Sequence, residues 1–159
     1  DVFLMSAGSL FFILGLSSFL IAHLAYISIF YELTKPVFVK GVYTYLLFGL
    51  LIYEVILLKY LWPNLEGMKV PVLIYATTIC VMLWVSMLLL RTNKSKGSIL
   101  IILGALSFVC SDSLLSIRLF IDDFEYAKFW VMFTYLLAQY LIVSGLLSLF
   151  KNSSLGTLK

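Results

Sequence analysis

The sequence is poor in charged residues. Only 12% of its 159 residues are Asp, Glu, Lys or Arg, against about 25% in soluble domains. This shortage places the chain outside the class of ordinary water-soluble enzymes and regulatory modules. The net charge of +3 is modest, and the basic residues are scattered over short loops without a nucleic-acid-reading motif. We therefore expect no nucleic-acid partner.

Histidine and cysteine are also scarce. The chain has one histidine, His23, and two cysteines, Cys80 and Cys110. A single histidine with separated cysteines does not supply the ligand set of a catalytic zinc site. We predict no metal site and no cofactor. Both cysteines fall in apolar stretches, and we expect them to be small buried apolar residues.

Long apolar runs fill most of the chain, and hydrophobic residues make up 63% of it. Runs of about 20–25 residues are long enough to cross a hydrocarbon core. They are continuous rather than alternating, which favours helices over β-barrel strands because backbone groups in lipid must pair internally. The predicted fold class is all-α, a polytopic transmembrane helix bundle in a single domain, 1–159. The five predicted spans are 9–30, 37–58, 70–90, 97–121 and 126–150.

Loop charges predict the orientation. Seven of the eleven Lys and Arg residues fall on alternate connections, including the RTNKSK segment at 91–96 and the tail. The positive-inside rule places this segment and the C-terminus in the cytoplasm. We expect an integral membrane protein, of the plasma (inner) membrane if the source is bacterial.

Asp112 is the most informative polar residue, because it lies well inside the fourth predicted span. A carboxylate at that depth costs several kcal/mol unless it is paired or takes up a proton. Asp112 is therefore a candidate proton donor. A structural hydrogen bond to a Ser, Tyr or His on a neighbouring helix is the other interpretation.

Other polar side chains at membrane depth are weaker candidates. His23 and Tyr26 are three residues apart and share a helix face, as do Tyr135 and Gln139, four residues apart. Helix packing explains each of them as readily as ligand binding, and the same holds for Tyr75. We interpret Glu54 as a snorkelling or paired residue, because Lys59 follows it closely.

Four motifs, in order along nearly the whole chain, resemble the lysoplasmalogenase-like YhhN family of membrane proteins. The first is DVFLM followed by FFILGLSSFLIAHLAYISIF, and the second is VPVLIYATTICVM. The third is LGALSFVCSDSLLSIRLF, and the fourth is TYLLAQYLIVSG. The residues that carry the resemblance are Asp1, Leu4, Met5, Phe12, Gly15, Phe19, His23, Tyr26, Phe30, Pro71, Tyr75, Gly104, Ala105, Phe108, Ser111, Asp112, Leu115, Tyr135, Ala138, Gln139, Leu141, Ile142 and Gly145.

The resemblance implies hydrolysis of the vinyl-ether bond of a lysoplasmalogen, a lysophospholipid substrate held within the bilayer. It implies Asp112 and Asp1 as catalytic carboxyl groups, with Asp112 the better candidate for the acid. His23, Tyr26, Tyr75, Tyr135 and Gln139 would then be substrate-binding residues that orient water or hold the headgroup. The family usually has about eight spans, so we expect this chain to be the C-terminal part of a longer protein.

Two other classes of function remain open on the sequence. A proton-coupled transporter of a small solute or lipid would use the same buried Asp and His as a relay, although paired broken helices and repeat halves are not evident. A membrane scaffold would use the polar residues only to join helices. Neither the true lipid substrate nor the oligomeric state follows from the sequence.

Overall fold

The computed structural model describes the backbone of residues 2–34 and 41–156, and the side chains of residues 13–34 and 41–151. Within these ranges the long elements are all helices, and no strand occurs. Five helices are long and apolar enough to cross a membrane. The predicted all-α transmembrane bundle is confirmed. Its helices are α1 Val2–Thr34, α2 Val42–Leu61, α3 Lys69–Thr92, α4 Lys96–Phe120 and α5 Ala127–Gly156.

The helices extend past several predicted span ends. α1 continues to Thr34 rather than ending at residue 30. Glu32 interrupts the apolar run after that point, but Tyr, Glu and Leu are all compatible with a continuing helix. α2 continues to Leu61 rather than 58, and a short 3₁₀ turn containing Pro63 follows it. The predicted start of the second span falls in residues 35–40, which lie outside the described residues.

Local chemistry explains where two helices begin. Gly41 precedes α2 with φ of +76°, a left-handed conformation that glycine adopts without a steric cost. Ser95 caps α4, and its side chain accepts a hydrogen bond from the Ser98 backbone N–H at 3.3 Å. Such a cap satisfies one of the N–H groups that have no partner within the helix.

α3 is the most buried helix and lies at the centre of the packing. It contacts α1, α2 and α4, and α4 in turn packs extensively against α5. The α4–α5 pair is close because glycines face each other across it. A Cβ atom at Gly97 would lie only 2.8 Å from the Gly145 carbonyl oxygen. Small residues at such a contact let the two backbones approach, as is typical of helix pairs in membranes.

The core between the helices is apolar and aromatic, and Phe30, Met82 and Phe108 are buried in it. Many large apolar side chains face outward instead, as expected for a surface in contact with lipid. The two cysteines differ in this respect. Cys80 is buried as expected, but the expectation is wrong for Cys110, which is exposed on α4.

Candidate active site

Asp112 lies where the bundle interior meets an open cavity. Its side chain is 15% exposed, and its Oδ2 atom is buried without a hydrogen-bond partner among the described residues. Ser111, the residue directly before Asp112 in α4, is also buried and donates a hydrogen bond to the Val131 carbonyl oxygen of α5 at 3.0 Å. That bond joins α4 to α5, and it therefore helps to hold α4 in the rotation about its own axis that turns Asp112 towards the cavity.

His23 reaches Asp112 from α1. Its ring is almost fully buried and packs edge-to-face on Phe108 and on Tyr75, with centroid distances of 5.0 and 5.6 Å. Nδ1 lies 2.6 Å from the Phe19 carbonyl oxygen, which only accepts hydrogen bonds. Nδ1 therefore carries the proton, and in the neutral ring Nε2 is left as an acceptor.

His23 Nε2 and Asp112 Oδ2 are 4.0 Å apart, and each lacks a hydrogen-bond partner within the described part of the chain. This distance is too long for a direct hydrogen bond. It does suit one oxygen atom held between them, because two hydrogen bonds of about 2.8 Å meeting at roughly a right angle span that gap. Both atoms are out of contact with open space in this structure, so the pair would hold a water molecule or a substrate oxygen only after the side chains move apart to admit it.

Tyr75 joins this pair from α3. Its ring contacts His23, and its hydroxyl group interacts with the Asp112 carboxyl group. Tyr75 also lines the cavity. Three helices, α1, α3 and α4, therefore bring one predicted residue each to the same place.

A second polar group, which is partly buried, lies between α1 and α5. The Tyr26 hydroxyl donates a hydrogen bond to Gln139 Oε1 at 2.7 Å, and Gln139 Nε2 lies 3.5 Å from the Tyr135 hydroxyl. The Phe108 ring separates this group from Asp112, since it contacts His23 on one side and Tyr135 on another, at 5.0 and 5.7 Å. The two polar groups are neighbours across one aromatic ring.

The cavity has a volume of about 660 Å³, including the space continuous with its open side. Leu61, Val72 and Phe120, which lie close to helix ends, line its part nearest the α2–α3 and α4–α5 connections. Its polar lining residues are Tyr53, Glu54, Tyr75, Asp112, Ser113 and Ser116.

Glu54 differs from its sequence interpretation. It is 5% exposed, so it does not snorkel, and its Oε1 atom accepts a hydrogen bond from Thr77 on α3 at 2.5 Å. Lys59 is exposed and forms no salt bridge with it in the described structure. The reason is helical geometry, because five residues correspond to a rotation of about 140°, which turns Lys59 away from Glu54.

The structure thus brings His23, Tyr75 and Asp112 together, and places Tyr26, Tyr135 and Gln139 in the adjoining group. Asp1 lies outside the described residues. Four polar cavity residues were not among the predicted site residues, namely Tyr53, Glu54, Ser113 and Ser116. Their signal was present in part, because Glu54 is an acid at membrane depth and Ser113 directly follows Asp112.

Fold and site together define an integral membrane protein with buried acidic and hydroxyl groups beside an apolar cavity. The YhhN family matches residues 1–146, and the chain belongs to this family. Relatives named lysoplasmalogenase, from Mycobacterium bovis and Mycobacterium tuberculosis, are each 26% identical over 136 residues. The match covers 84% of this chain and 50% of each relative, so the chain spans about half the length of these relatives. No solved structure gives a match.

Proposed function

We propose that this protein is a lysoplasmalogenase-type hydrolase. It cleaves the vinyl-ether bond of a lysoplasmalogen and releases a fatty aldehyde and a glycerophospho-alcohol. The family and the names of the two relatives support this activity over proton-coupled transport. The observation that carries the proposal is the buried Asp112 Oδ2 atom, which has no partner in the described structure and belongs to a residue that lines an apolar cavity.

The reaction needs a proton donor before it needs a nucleophile. Hydrolysis begins when a proton is added to the vinyl carbon remote from oxygen, which leaves an oxocarbenium ion on the other vinyl carbon. Glycosidases stabilise and capture a similar ion with a pair of carboxyl groups. Asp112 is the general acid in this proposal. The protonated form suits Asp112 because a charge at membrane depth is costly and its buried Oδ2 atom has no hydrogen-bond donor among the described residues.

His23 positions the oxygen that reacts. Its Nε2 atom accepts a hydrogen bond from the water molecule held between it and Asp112, and the Nδ1 bond to Phe19 fixes the ring for this purpose. Tyr75 orients the Asp112 carboxyl group from the cavity side. The resemblance assigns Tyr26, Tyr135 and Gln139 to substrate binding, although none of them lines the cavity. The resemblance also assigns a catalytic role to Asp1, which stays a prediction.

The cavity accounts for a lipid substrate. Its outer part is apolar, so a single hydrocarbon chain can pack against Leu57, Leu61 and Phe120 while the vinyl ether lies near Asp112. A lipid with one chain enters such a cavity directly from the bilayer, so no aqueous channel is needed. We place the protein in the plasma (inner) membrane if its source is bacterial, with its C-terminus in the cytoplasm, as the loop charges favour.

The test is aldehyde release from a lysoplasmalogen by the purified protein and by its Asp112→Asn variant. Asp112→Asn is expected to lower kcat by about 10²–10⁴-fold, the usual contribution of a general acid. Asp122→Asn is the matched control, because Asp122 is exposed in the α4–α5 connection and makes the same change of charge. Undiminished turnover in a folded Asp112→Asn variant would remove Asp112 from the mechanism.

A further inference from the structure

A second carboxyl group lines the same cavity as Asp112. Glu54 projects from α2, is almost fully buried, and lies among apolar residues such as Leu57, Leu58 and Cys80. The mechanism outlined above gives it no role. Its nearest polar contact is the Thr77 hydroxyl group, and no Lys or Arg of the described chain pairs with it.

A hydrogen bond between α2 and α4 sets the position of Glu54 relative to Asp112. Tyr53 of α2 and Ser113 of α4 are joined through their hydroxyl groups. Glu54 directly follows Tyr53, and Asp112 directly precedes Ser113. All four side chains line the cavity. The bond therefore aligns the two helices so that an acid from each faces the same space.

Helix packing alone does not account for this acid. A carboxyl group at membrane depth costs more free energy than one hydroxyl hydrogen bond returns. Thr77 also has a local partner, because its Oγ1 atom lies 2.9 Å from the Leu73 carbonyl oxygen. Thr77 would thus remain satisfied without Glu54. An acid that is costly, not required by its neighbour and located in the wall of the cavity that Asp112 also lines has the placement of a reacting group.

We propose that Glu54 is the general base of the reaction, the second carboxyl group that captures the oxocarbenium ion with water. This role rests on the proposed function. Asp112 transfers its proton to the vinyl carbon and becomes a carboxylate. Water then adds to the cationic carbon, and Glu54 takes the proton that the water loses, which gives a hemiacetal.

The protons balance over the whole cycle. The hemiacetal collapses when its hydroxyl group loses a proton and the ether oxygen gains one, which breaks the carbon–oxygen bond and releases the aldehyde and the alcohol. The proton held by Glu54 returns to Asp112. One water molecule is consumed, and no oxidant, reductant or metal is needed. This division of labour matches the acid and base pair of an inverting glycosidase.

Hydrolysis in D₂O separates the two roles. In the Glu54→Gln variant the oxocarbenium ion still forms but is not captured, so it returns a proton to Asp112 and re-forms the substrate. Substrate recovered from this variant should carry deuterium at the vinyl carbon remote from oxygen, detected by NMR. Turnover should fall by about 10²-fold or more. Recovered substrate should stay free of deuterium with the wild-type protein and with Asp112→Asn.

Controls keep the test specific. Gln retains an oxygen that accepts the Thr77 hydrogen bond, so Glu54→Gln preserves local packing. Glu54→Met is the second variant, because an unbranched apolar side chain suits the site and Thr77 keeps its bond to Leu73. It should give the same deuterium pattern. Glu32→Gln removes an exposed acid at the end of α1 and should leave turnover unchanged.

Three results would overturn the role of Glu54. The first is turnover within about threefold of wild type in both Glu54 variants. The second is reduced turnover without deuterium in the recovered substrate. The third is deuterium exchange in Asp1→Asn but not in Glu54→Gln, which would assign the base to Asp1. A wild-type protein that releases no aldehyde would instead contradict the proposed function, on which this role depends.

Discussion

The Nε2 atom of His23 lies 4.0 Å from Oδ2 of Asp112, and neither atom has a hydrogen-bond partner among the described residues. The two residues come from α1 and α4, so the pairing is a product of the fold rather than of local sequence. Unpaired polar atoms in a membrane interior are costly, and a pair of them facing each other indicates a binding position for a third polar atom.

The first prediction concerns that position. His23→Phe keeps an aromatic ring that packs on Phe108 but removes the acceptor that faces Asp112. We expect kcat/KM for lysoplasmalogen hydrolysis to fall by about 5–30-fold, the effect of losing about one or two kcal/mol of hydrogen bonding in the transition state. The measurement is steady-state aldehyde release in detergent micelles or nanodiscs.

His23→Gln is the partner variant, because an amide can still hydrogen-bond towards Asp112. It should retain more activity than His23→Phe. Thermal unfolding of both variants checks that the protein is folded. Equal activity of His23→Phe and wild type would show that the histidine is only a packing residue.

The second prediction concerns the link between α1 and α5. Tyr26→Phe removes the hydroxyl group that donates to Gln139 Oε1. We expect the free energy of unfolding to fall by about 1 kcal/mol, typical of hydrogen bonds between helices in membranes. Tyr140→Phe is the matched control, because Tyr140 is 69% exposed, and it should change stability little.

A double-mutant cycle isolates the Tyr26–Gln139 pair. The Tyr26→Phe and Gln139→Leu changes together should cost less than the sum of the two single changes, since both remove the same bond. The measurement is unfolding by sodium dodecyl sulphate in mixed micelles. Strictly additive losses would contradict the bond between these side chains.

The sequence was informative where one physical constraint decides the outcome. Hydrocarbon forces backbone groups to pair within a segment, so long apolar runs predicted five helices. Spacing along one helix predicted that His23 and Tyr26 share a face, because their relative angle depends only on helix geometry. Asp112 could be identified as a candidate from its depth in the predicted span alone, since a carboxyl group is costly inside the membrane.

Relations between helices could not be read in this way. The alignment of Tyr53 with Ser113, and hence of Glu54 with Asp112, depends on how two helices rotate and slide against each other. The sequence suggested that Glu54 snorkels or pairs, because Lys59 lies only five residues away. That separation does not place the two side chains on the same face of the helix. Glu54 is buried and accepts a hydrogen bond from Thr77 of α3, and such a contact between two helices is a tertiary property.

The third prediction tests the cavity as the position of the hydrocarbon chain. Ala76 lines the cavity, and Ala76→Phe would fill part of it. We expect kcat/KM to fall by about tenfold or more, and the loss to be smaller for substrates with shorter chains, because they need less of the space. Ala25→Phe is the control, since Ala25 is exposed on α1. The same loss at every chain length would place the chain elsewhere.

The fourth prediction concerns the tight contact of α4 with α5. A Cβ atom at Gly104 would lie 2.6 Å from Ile142 Cγ1 and 2.9 Å from both the Ala138 carbonyl oxygen and the Ile142 backbone nitrogen. Two of these three atoms belong to the backbone, so a rotamer change does not relieve the clash. We expect Gly104→Ala to lower the free energy of unfolding by about 1–3 kcal/mol, the cost of overpacking.

Gly49→Ala is the matched control, because a Cβ at Gly49 meets nothing within 4 Å on the exposed face of α2. It should leave stability unchanged or raise it slightly, since alanine is the better helix former. Both variants are compared by unfolding in mixed micelles. A Gly104→Ala variant as stable as Gly49→Ala would mean that α4 and α5 are further apart than the structure places them. The Ser111 bond to Val131, which fixes the rotation of Asp112, would then be in question as well.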